Sequence, residues 1–135
     1  MSGGPAGPTG PTGPAGPTGP AGLEKLVALL RRFARDRDWD QYHSPKNLSM
    51  ALAGEAAEIM EIFQWLTEEQ SRALDARQMA MLTEEIGDVM IYLLMLADKT
   101  GVDIISAVEA KLEKNMVKYP APAKKDESGE FTEFG

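Results

Sequence analysis

The chain has 135 residues, 43% of them hydrophobic, a formal net charge of −7 and no cysteine. This length suits one domain, and the acidic balance argues against a nucleic-acid polymer as partner, because proteins that bind phosphate backbones usually present a basic face. The lack of cysteine excludes disulfides, thiolate metal sites and cysteine nucleophiles. No apolar run is long enough to span a bilayer and the N-terminus lacks the features of a signal peptide, so we expect no membrane partner and a cytoplasmic location.

The two ends of the chain differ in composition from its middle. In residues 1–22, glycine recurs at every third position from Gly4 to Gly22, which is the sequence rule of a collagen triple helix. Six triplets make a short triple helix, and its threefold association conflicts with the twofold pairing usual for helical bundles. We therefore predict a flexible arm, with trimerisation or a partner contact as the alternative. Residues 121–135 are polar and broken by proline and glycine, which predicts a disordered tail.

Four amphipathic helices are predicted between residues 23 and 120. Apolar residues recur there at spacings of three and four, the period of a helix, and no strand pattern is present, so the predicted fold is all-α. Thr67 with Gln70 matches a capping box that opens a further short helix or turn. Pro45, at a first-turn position after Ser44, marks a helix start, and Asp103 and Gly101 match helix-capping positions. The four helices are predicted at about 23–37, 45–66, 76–99 and 103–117.

Each of the first three helices carries an apolar stripe that we expect to face the core. These stripes consist of Leu23, Leu26, Val27, Leu30 and Phe33; Leu48, Ala51, Leu52, Ile59, Ile62, Phe63 and Leu66; and Met79, Leu82, Ile86, Val89, Leu93 and Leu96.

Carboxylates interrupt two of these stripes. Glu55 and Glu58, at i and i+3, lie in the apolar sector of the second helix, and Glu85 and Asp88 repeat this arrangement in the third. If the two helices pack together, four carboxylates converge, and burying such like charges is costly unless a cation compensates them. Oxygen ligands suit Mg²⁺ or Mn²⁺, and bound Mg²⁺ accepts substrate phosphates as further ligands. The pattern therefore predicts a metal-dependent triphosphate site.

The acids also admit two other interpretations. Either pair alone is more often an ordinary solvated helix face, and we interpret the neighbouring Glu61, Glu68, Glu69 and Glu84 as surface charge. A di-iron bundle requires Glu-x-x-His on two helices. The only histidine, His43, lies in a predicted loop, so the di-iron alternative is disfavoured.

The two carboxylate motifs also carry a family resemblance. Gly54-Glu55-Ala56-Ala57-Glu58 and Glu84-Glu85-Ile86-Gly87-Asp88 resemble the paired motifs of the MazG-like nucleoside triphosphate pyrophosphohydrolases, most closely the branch that acts on dCTP. The likeness spans about residues 23–120, while the collagen-like arm is outside the family's usual form. Supporting segments are Arg37-Asp38-Trp39, Tyr42 to Leu48, Phe63-Gln64-Trp65 and Lys111 to Pro120.

The resemblance implies a four-helix MazG-like bundle assembled as a dimer or a dimer of dimers. It implies Mg²⁺, with Mn²⁺ possible, held by the catalytic acids Glu55, Glu58, Glu85 and Asp88. The reaction would be hydrolysis of a deoxynucleoside triphosphate, dCTP or a modified dCTP in preference, to the monophosphate and pyrophosphate, as nucleotide-pool house-cleaning. The alternatives are a dUTP or broad nucleotide pyrophosphohydrolase, or an inactive metal-binding bundle that serves as an interaction module.

The same resemblance assigns seven residues to substrate binding. Aromatic side chains would stack on the base, a loop histidine would approach the nucleotide, and polar groups of the last helix would meet the phosphates. The structural alternatives are core filling, a solvated loop and a basic helix C-terminus favoured by the helix dipole. The residues are Trp39, Trp65 and Tyr92, then His43, then Lys111, Asn115 and Lys118.

Overall fold

The computed structural model describes residues 20–122. Within this range the secondary structure consists of α-helices and one 3-10 turn, without a strand, which confirms the all-α prediction. The predicted arm up to residue 19 and the predicted tail from residue 123 lie outside the described residues. The elements are α1 (Pro20–Asp36), the 3-10 turn (Asp40–Tyr42), α2 (Pro45–Phe63), α3 (Glu68–Ser71), α4 (Ala76–Thr100) and α5 (Ile104–Lys118).

Two helix ends differ from their predicted positions. Helix α1 begins at Pro20, so its first three residues fall within residues 1–22, predicted above as an arm. Proline is compatible with a first helical turn, because an N–H there has no partner within the helix. Helix α2 ends at Phe63 rather than Leu66, since the Leu66 N–H bonds to the Phe63 carbonyl at 2.9 Å and closes a turn instead.

The predicted caps are present and set the remaining boundaries. The Ser44 hydroxyl accepts a hydrogen bond from the Asn47 N–H at the start of α2. Thr67 forms its capping box with Gln70. Gly101 ends α4 in the left-handed conformation, with φ of 72°. Each cap satisfies backbone groups that a helix end otherwise leaves without partners, so local sequence is enough to fix these ends.

Helices α2 and α4 form a hairpin joined by the segment that contains α3. The inward face of α2 includes Leu48, which is 1% exposed, and all the other residues of its predicted stripe are half-buried. On α4 the matching inward line runs through Leu82, Val89 and Leu96, also half-buried. This hairpin is the scaffold that positions the acidic residues.

The predicted apolar stripe of α4 is wrong for half its members. Met79, Ile86 and Leu93 are 50%, 53% and 37% exposed. They repeat every seven residues and so form a separate line beside the one that faces α2. Phe33 of α1, predicted to be in the core, is likewise 44% exposed. An apolar stripe read from the sequence can be wider than the contact with one neighbouring helix, so some of its side chains remain exposed.

Helix α1 packs on the C-terminal half of α4, where Ala34, Leu94 and Ala97 are buried. Arg31 of α1 donates hydrogen bonds from its guanidinium to both carboxylate oxygens of Asp98. Lys99 donates a bond of 2.9 Å to Asp40 in the 3-10 turn. A cleft of about 30 Å³ lies between these two ion pairs, which together tie α1 and the following turn to α4.

Helices α1 to α4 belong to one compact unit that ends at Gly101, and α5 belongs to a second unit that begins at Val102. Asp103 caps α5 as predicted, because its carboxylate accepts a bond of 2.7 Å from the Ser106 N–H. Among the described residues no helix combines the length and the apolar character needed to cross a membrane.

Candidate metal centre

The α2–α4 hairpin brings three predicted acids together. Glu55, Glu58 and Glu85 each offer a carboxylate oxygen, and these three oxygens lie within 4.8 Å of one another. Two oxygens on opposite sides of one Mg²⁺ lie about 4.2 Å apart, since each metal–oxygen distance is about 2.1 Å. Small side-chain adjustments would therefore allow all three groups to bind one cation.

Helical spacing explains how two helices can supply these groups. Residues three apart on a helix lie on the same face, so Glu55 and Glu58 share a face of α2, and Glu85 and Asp88 share a face of α4. Glu55, Glu85 and Asp88 are half-buried, whereas Glu58 is exposed. The cluster is thus open to solvent on the side of Glu58, which is the side from which a ligand can enter.

The acids disturb one another's protonation. Burial raises the pKa of Glu55, and the negative charges of Glu58 and Asp88 raise it further. Burial also raises the pKa of Glu85. Its close interaction with Glu58 and the negative charges of Asp88 and Glu55 raise this pKa further. Asp88 therefore adds negative charge to the cluster, although its oxygens are not among the three that lie within 4.8 Å.

One oxygen in the cluster is left without a partner. Glu85 Oε2 is buried and accepts no hydrogen bond from the described residues. The four ion pairs of the described part of the chain involve other acids, so no lysine or arginine there neutralises the cluster. The cluster therefore suits a divalent cation, because its charge is uncompensated, one buried oxygen has no partner and all its potential ligands are oxygens.

The predicted aromatic and histidine ligands occupy different environments. Trp39 packs edge-on against Phe33, with ring centroids 5.5 Å apart, and lies 6.2 Å from the His43 ring. His43 Nδ1 is buried without a hydrogen-bond partner among the described residues. Tyr92 is half-buried on α4, one turn beyond Asp88. Trp65, in the turn after α2, is 87% exposed and so does not fill the core of this chain.

The three predicted phosphate ligands lie on α5. Lys111 and Lys118 are exposed, and Asn115 is half-buried. Their spacing of four and three residues puts them on one face of the helix, as the sequence indicated. Because α5 belongs to the second unit, their part in the site remains a prediction.

Sequence reasoning missed the ion pairs that tie α1 and the 3-10 turn to α4. Arg31–Asp98 and Lys99–Asp40 join residues 67 and 59 positions apart, and periodicity carries no signal for such pairs. It also missed Asp38, which has φ of 55° and closes α1 immediately before Trp39. A polar residue directly after a predicted helix end was the only available hint.

Comparison with known proteins gives consistent matches. Residues 51–134 match the model of the MazG-like family. The chain is 41% identical to dCTP pyrophosphatase 1 of Homo sapiens over 114 residues, which cover 83% of this chain and 67% of that protein. The Bos taurus protein of the same name is 39% identical and matches 83% and 68% of the two chains. A pyrophosphatase of known structure from Archaeoglobus fulgidus is 43% identical, with a TM-score of 0.70, and the match covers 73% of this chain and 93% of that one.

Proposed function

The chain belongs to the MazG-like family, and from this membership we propose that it is a nucleoside triphosphate pyrophosphohydrolase with dCTP as its preferred substrate. The reaction yields dCMP and pyrophosphate and removes dCTP or modified dCTP from the nucleotide pool. The observation that carries the proposal is the convergence of Glu55, Glu58 and Glu85 around one uncompensated position, in a chain about 40% identical to several dCTP pyrophosphatases.

The acidic cluster is the proposed metal site. Glu55, Glu58 and Glu85 would hold Mg²⁺, or Mn²⁺ in its place, and Asp88 would complete the negative charge. When bound, the cation supplies charge neutralisation of the phosphates and activation of the attacking water. No lysine or arginine of the described residues forms an ion pair with these carboxylates, and the open side at Glu58 lets the triphosphate reach them.

The remaining predicted residues would bind the rest of the nucleotide. Trp39, Trp65 and Tyr92 offer aromatic faces, and each stacked base contributes about 1 to 3 kcal/mol of binding. His43 Nδ1, buried without a partner, can accept or donate one hydrogen bond to the ligand. Lys111, Asn115 and Lys118 would supply hydrogen bonds to phosphate oxygens.

A substrate panel tests this function directly. Pyrophosphate release is followed for dCTP, 5-substituted dCTP, dUTP and the other nucleoside triphosphates with Mg²⁺. We expect the highest kcat/KM for dCTP or a 5-substituted derivative, and loss of turnover in Glu55→Gln and Asp88→Asn with helical circular dichroism retained. Activity that survives both substitutions would contradict the assigned site. A folded wild type without turnover on any nucleotide would contradict the enzyme itself and favour an inactive metal-binding bundle.

We also propose that the protein functions as a homodimer or a dimer of dimers. In the described residues only Ala34, Leu48, Leu94 and Ala97 are classed as buried apolar side chains. Exposed apolar lines such as Met79, Ile86 and Leu93 remain on the surface of the single chain. A second copy packed on these lines would bury apolar surface that a single domain of this size leaves exposed to solvent.

A further inference from the structure

Gly54 lies in the middle of α2 and next to the acidic cluster, yet the chain itself does not require a glycine there. Glycine destabilises a helix interior, because it loses more backbone entropy on folding than other residues. Gly54 is exposed and its conformation is helical, and apart from its chain neighbours and the adjacent helix backbone no atom of the described structure lies within 4 Å of where its Cβ would stand. Neither backbone strain nor packing within residues 20–122 accounts for this residue.

The position of Gly54 on α2 connects it to the site. It precedes Glu58 by four residues, so the two lie on the same side of the helix, one turn or about 6 Å apart along the axis. A ligand that reaches the cluster from its open side at Glu58 therefore passes beside the bare backbone of Gly54. A side chain at this point would project into the space that the ligand crosses.

Gly87 provides an internal comparison. It also lies inside a helix, is exposed and has open space where a Cβ would stand. The residues three and four positions from it are Thr83, Glu84, Met90 and Ile91, none of which belongs to the acidic cluster. The two glycines are thus alike in helical position, exposure and open space, but only Gly54 has an acid of the cluster at helical spacing.

The direction from Glu58 past Gly54 leads to the N-terminal end of α2. That end follows the 3-10 turn and His43, whose Nδ1 is buried without a partner in the described structure. The aromatic ring of Trp39 lies 6.2 Å from the His43 ring. An elongated ligand with its phosphates at the carboxylates and its planar base directed towards these rings would place its sugar over the turn of α2 next to the cluster, which contains Gly54.

We propose that the deoxyribose of the bound nucleotide lies against the backbone of Gly54, which makes this glycine a specificity-determining residue of the site. The inference rests on the proposed function, since it needs a nucleotide at the carboxylates. It explains a helix-weakening residue that the fold does not need: a Cβ at this position would occupy the space of the sugar, whereas the phosphates would still reach the acids.

The test compares Gly54→Ala with Gly87→Ala in the full-length chain. Both substitutions should raise the melting temperature by about 4 to 8 °C, because alanine favours the helix. Only Gly54→Ala should raise the KM for dCTP, by about tenfold or more, with kcat changed by less than about threefold. Competitive inhibition by inorganic triphosphate, which has no sugar, should stay within about twofold of the wild type in both variants.

Several results would overturn the proposal, and each has a distinct meaning. A KM for dCTP within about twofold of wild type in Gly54→Ala means that the sugar lies elsewhere. Equal losses for dCTP and inorganic triphosphate mean that the substitution acts on the acids instead. The same loss in Gly87→Ala assigns the effect to helix stiffening. Absence of turnover in the wild type overturns the proposed function together with this inference, whereas an active Gly54→Ala with normal KM overturns only the inference.

Discussion

At the scale of single residues, the acidic cluster is costly to the fold and useful to the site. Three carboxylates share a small volume, and the pKa values of Glu55 and Glu85 are raised by burial and by neighbouring negative charges. Without a cation, such a group gains little from being ionised in the folded state. A bound divalent cation reverses this balance, so the stability of the protein and the occupancy of the site should be coupled.

Replacing Glu85 by glutamine tests this coupling. The amide has nearly the same shape but no charge, so the magnesium affinity should fall by about tenfold or more. The metal-free variant should melt at the same temperature as the metal-free wild type or above it, because a repelled charge is removed. Melting curves with and without Mg²⁺ measure both effects. The control is Glu84→Gln, at an exposed neighbouring position, which should retain the full rise in melting temperature on addition of Mg²⁺. An equally large rise in the melting temperature of Glu85→Gln would contradict the metal assignment.

Asp38 provides a second prediction at this scale. Its φ of 55° is a left-handed conformation, which glycine adopts more easily than other residues. Both Asp38→Gly and Asp38→Ala lose the 2.9 Å bond that the carboxylate accepts from Gln41, so the difference between the two variants isolates the backbone. The glycine variant should be more stable by about 1 kcal/mol in urea denaturation. Equal stability would mean that the end of α1 relaxes to another conformation.

At the scale of elements, α4 organises the first unit. Its middle carries Glu85 and Asp88 for the site, and its last turns carry Asp98 and Lys99, which hold α1 and the 3-10 turn. Its start is fixed locally, because Asp75 and Gln78 exchange side-chain to backbone hydrogen bonds of 2.8 and 3.0 Å. Displacement of this helix would therefore affect the acids, α1 and the 3-10 turn together.

Removal of the α4 cap has a defined cost. Asp75→Ala leaves N–H groups of the first turn without an acceptor and should reduce the free energy of unfolding by about 1 kcal/mol. Asp75→Asn, which can still accept the bond, should retain most of the stability. Chemical denaturation of the three proteins gives the comparison. If alanine and asparagine were equivalent, the hydrogen bond seen in the structure would contribute nothing.

The attachment of α1 to α4 should depend on pH. The hydrogen bonds from Arg31 hold the pKa of Asp98 below its ordinary value of 3.8, and the positive charge of Arg31 adds to this effect. A carboxyl group whose pKa is lowered by folding contributes stability above its ordinary pKa and loses it as the pH falls through the lowered value. The unfolding free energy of the wild type should therefore decrease more steeply below about pH 4 than that of Asp98→Asn. Denaturant titrations between neutral and acid pH measure this slope, and parallel curves would contradict the assignment.

At the scale of the whole molecule, the part of the chain that the structure describes has few fully buried apolar side chains. Twelve large apolar or aromatic side chains between Leu29 and Leu93 are more than a third exposed. Isolated exposed apolar residues are normal, but a line repeating every seven residues along a long helix is typical of a surface that packs against another helix. The proposed homo-oligomer accounts for this line.

The oligomer makes a mass prediction. Sedimentation should give at least twice the chain mass of 14.7 kDa at micromolar concentration. Met79→Asp, on the exposed line of α4, should shift the protein towards the single-chain mass, because a carboxylate would be buried at the interface. Met81→Asp, equally on the first turns of α4 but off this line, should leave the mass unchanged. A wild type that sediments as a single chain at all concentrations would contradict the proposal.

Local residue patterns were enough to predict the helices, most of their ends and the four acids from which the cluster is drawn. Helix period and capping chemistry are local, so the start of α2 at Ser44, the Thr67 capping box and the Gly101 stop could all be predicted from neighbouring residues. The i,i+3 spacing likewise determined that Glu55 would share a face with Glu58 before any packing was known.

Which apolar line is covered, and which of the acids meet, depends on the packing of the helices. The exposure of Met79 and Ile86, the 4.8 Å grouping of three acids without Asp88, and the Lys99–Asp40 pair depend on how one helix is rotated and placed against another. The energies of these arrangements come from contacts between residues far apart in the chain. The spacing of apolar residues predicts which faces of a helix are apolar, but it does not predict which other helix packs against each face.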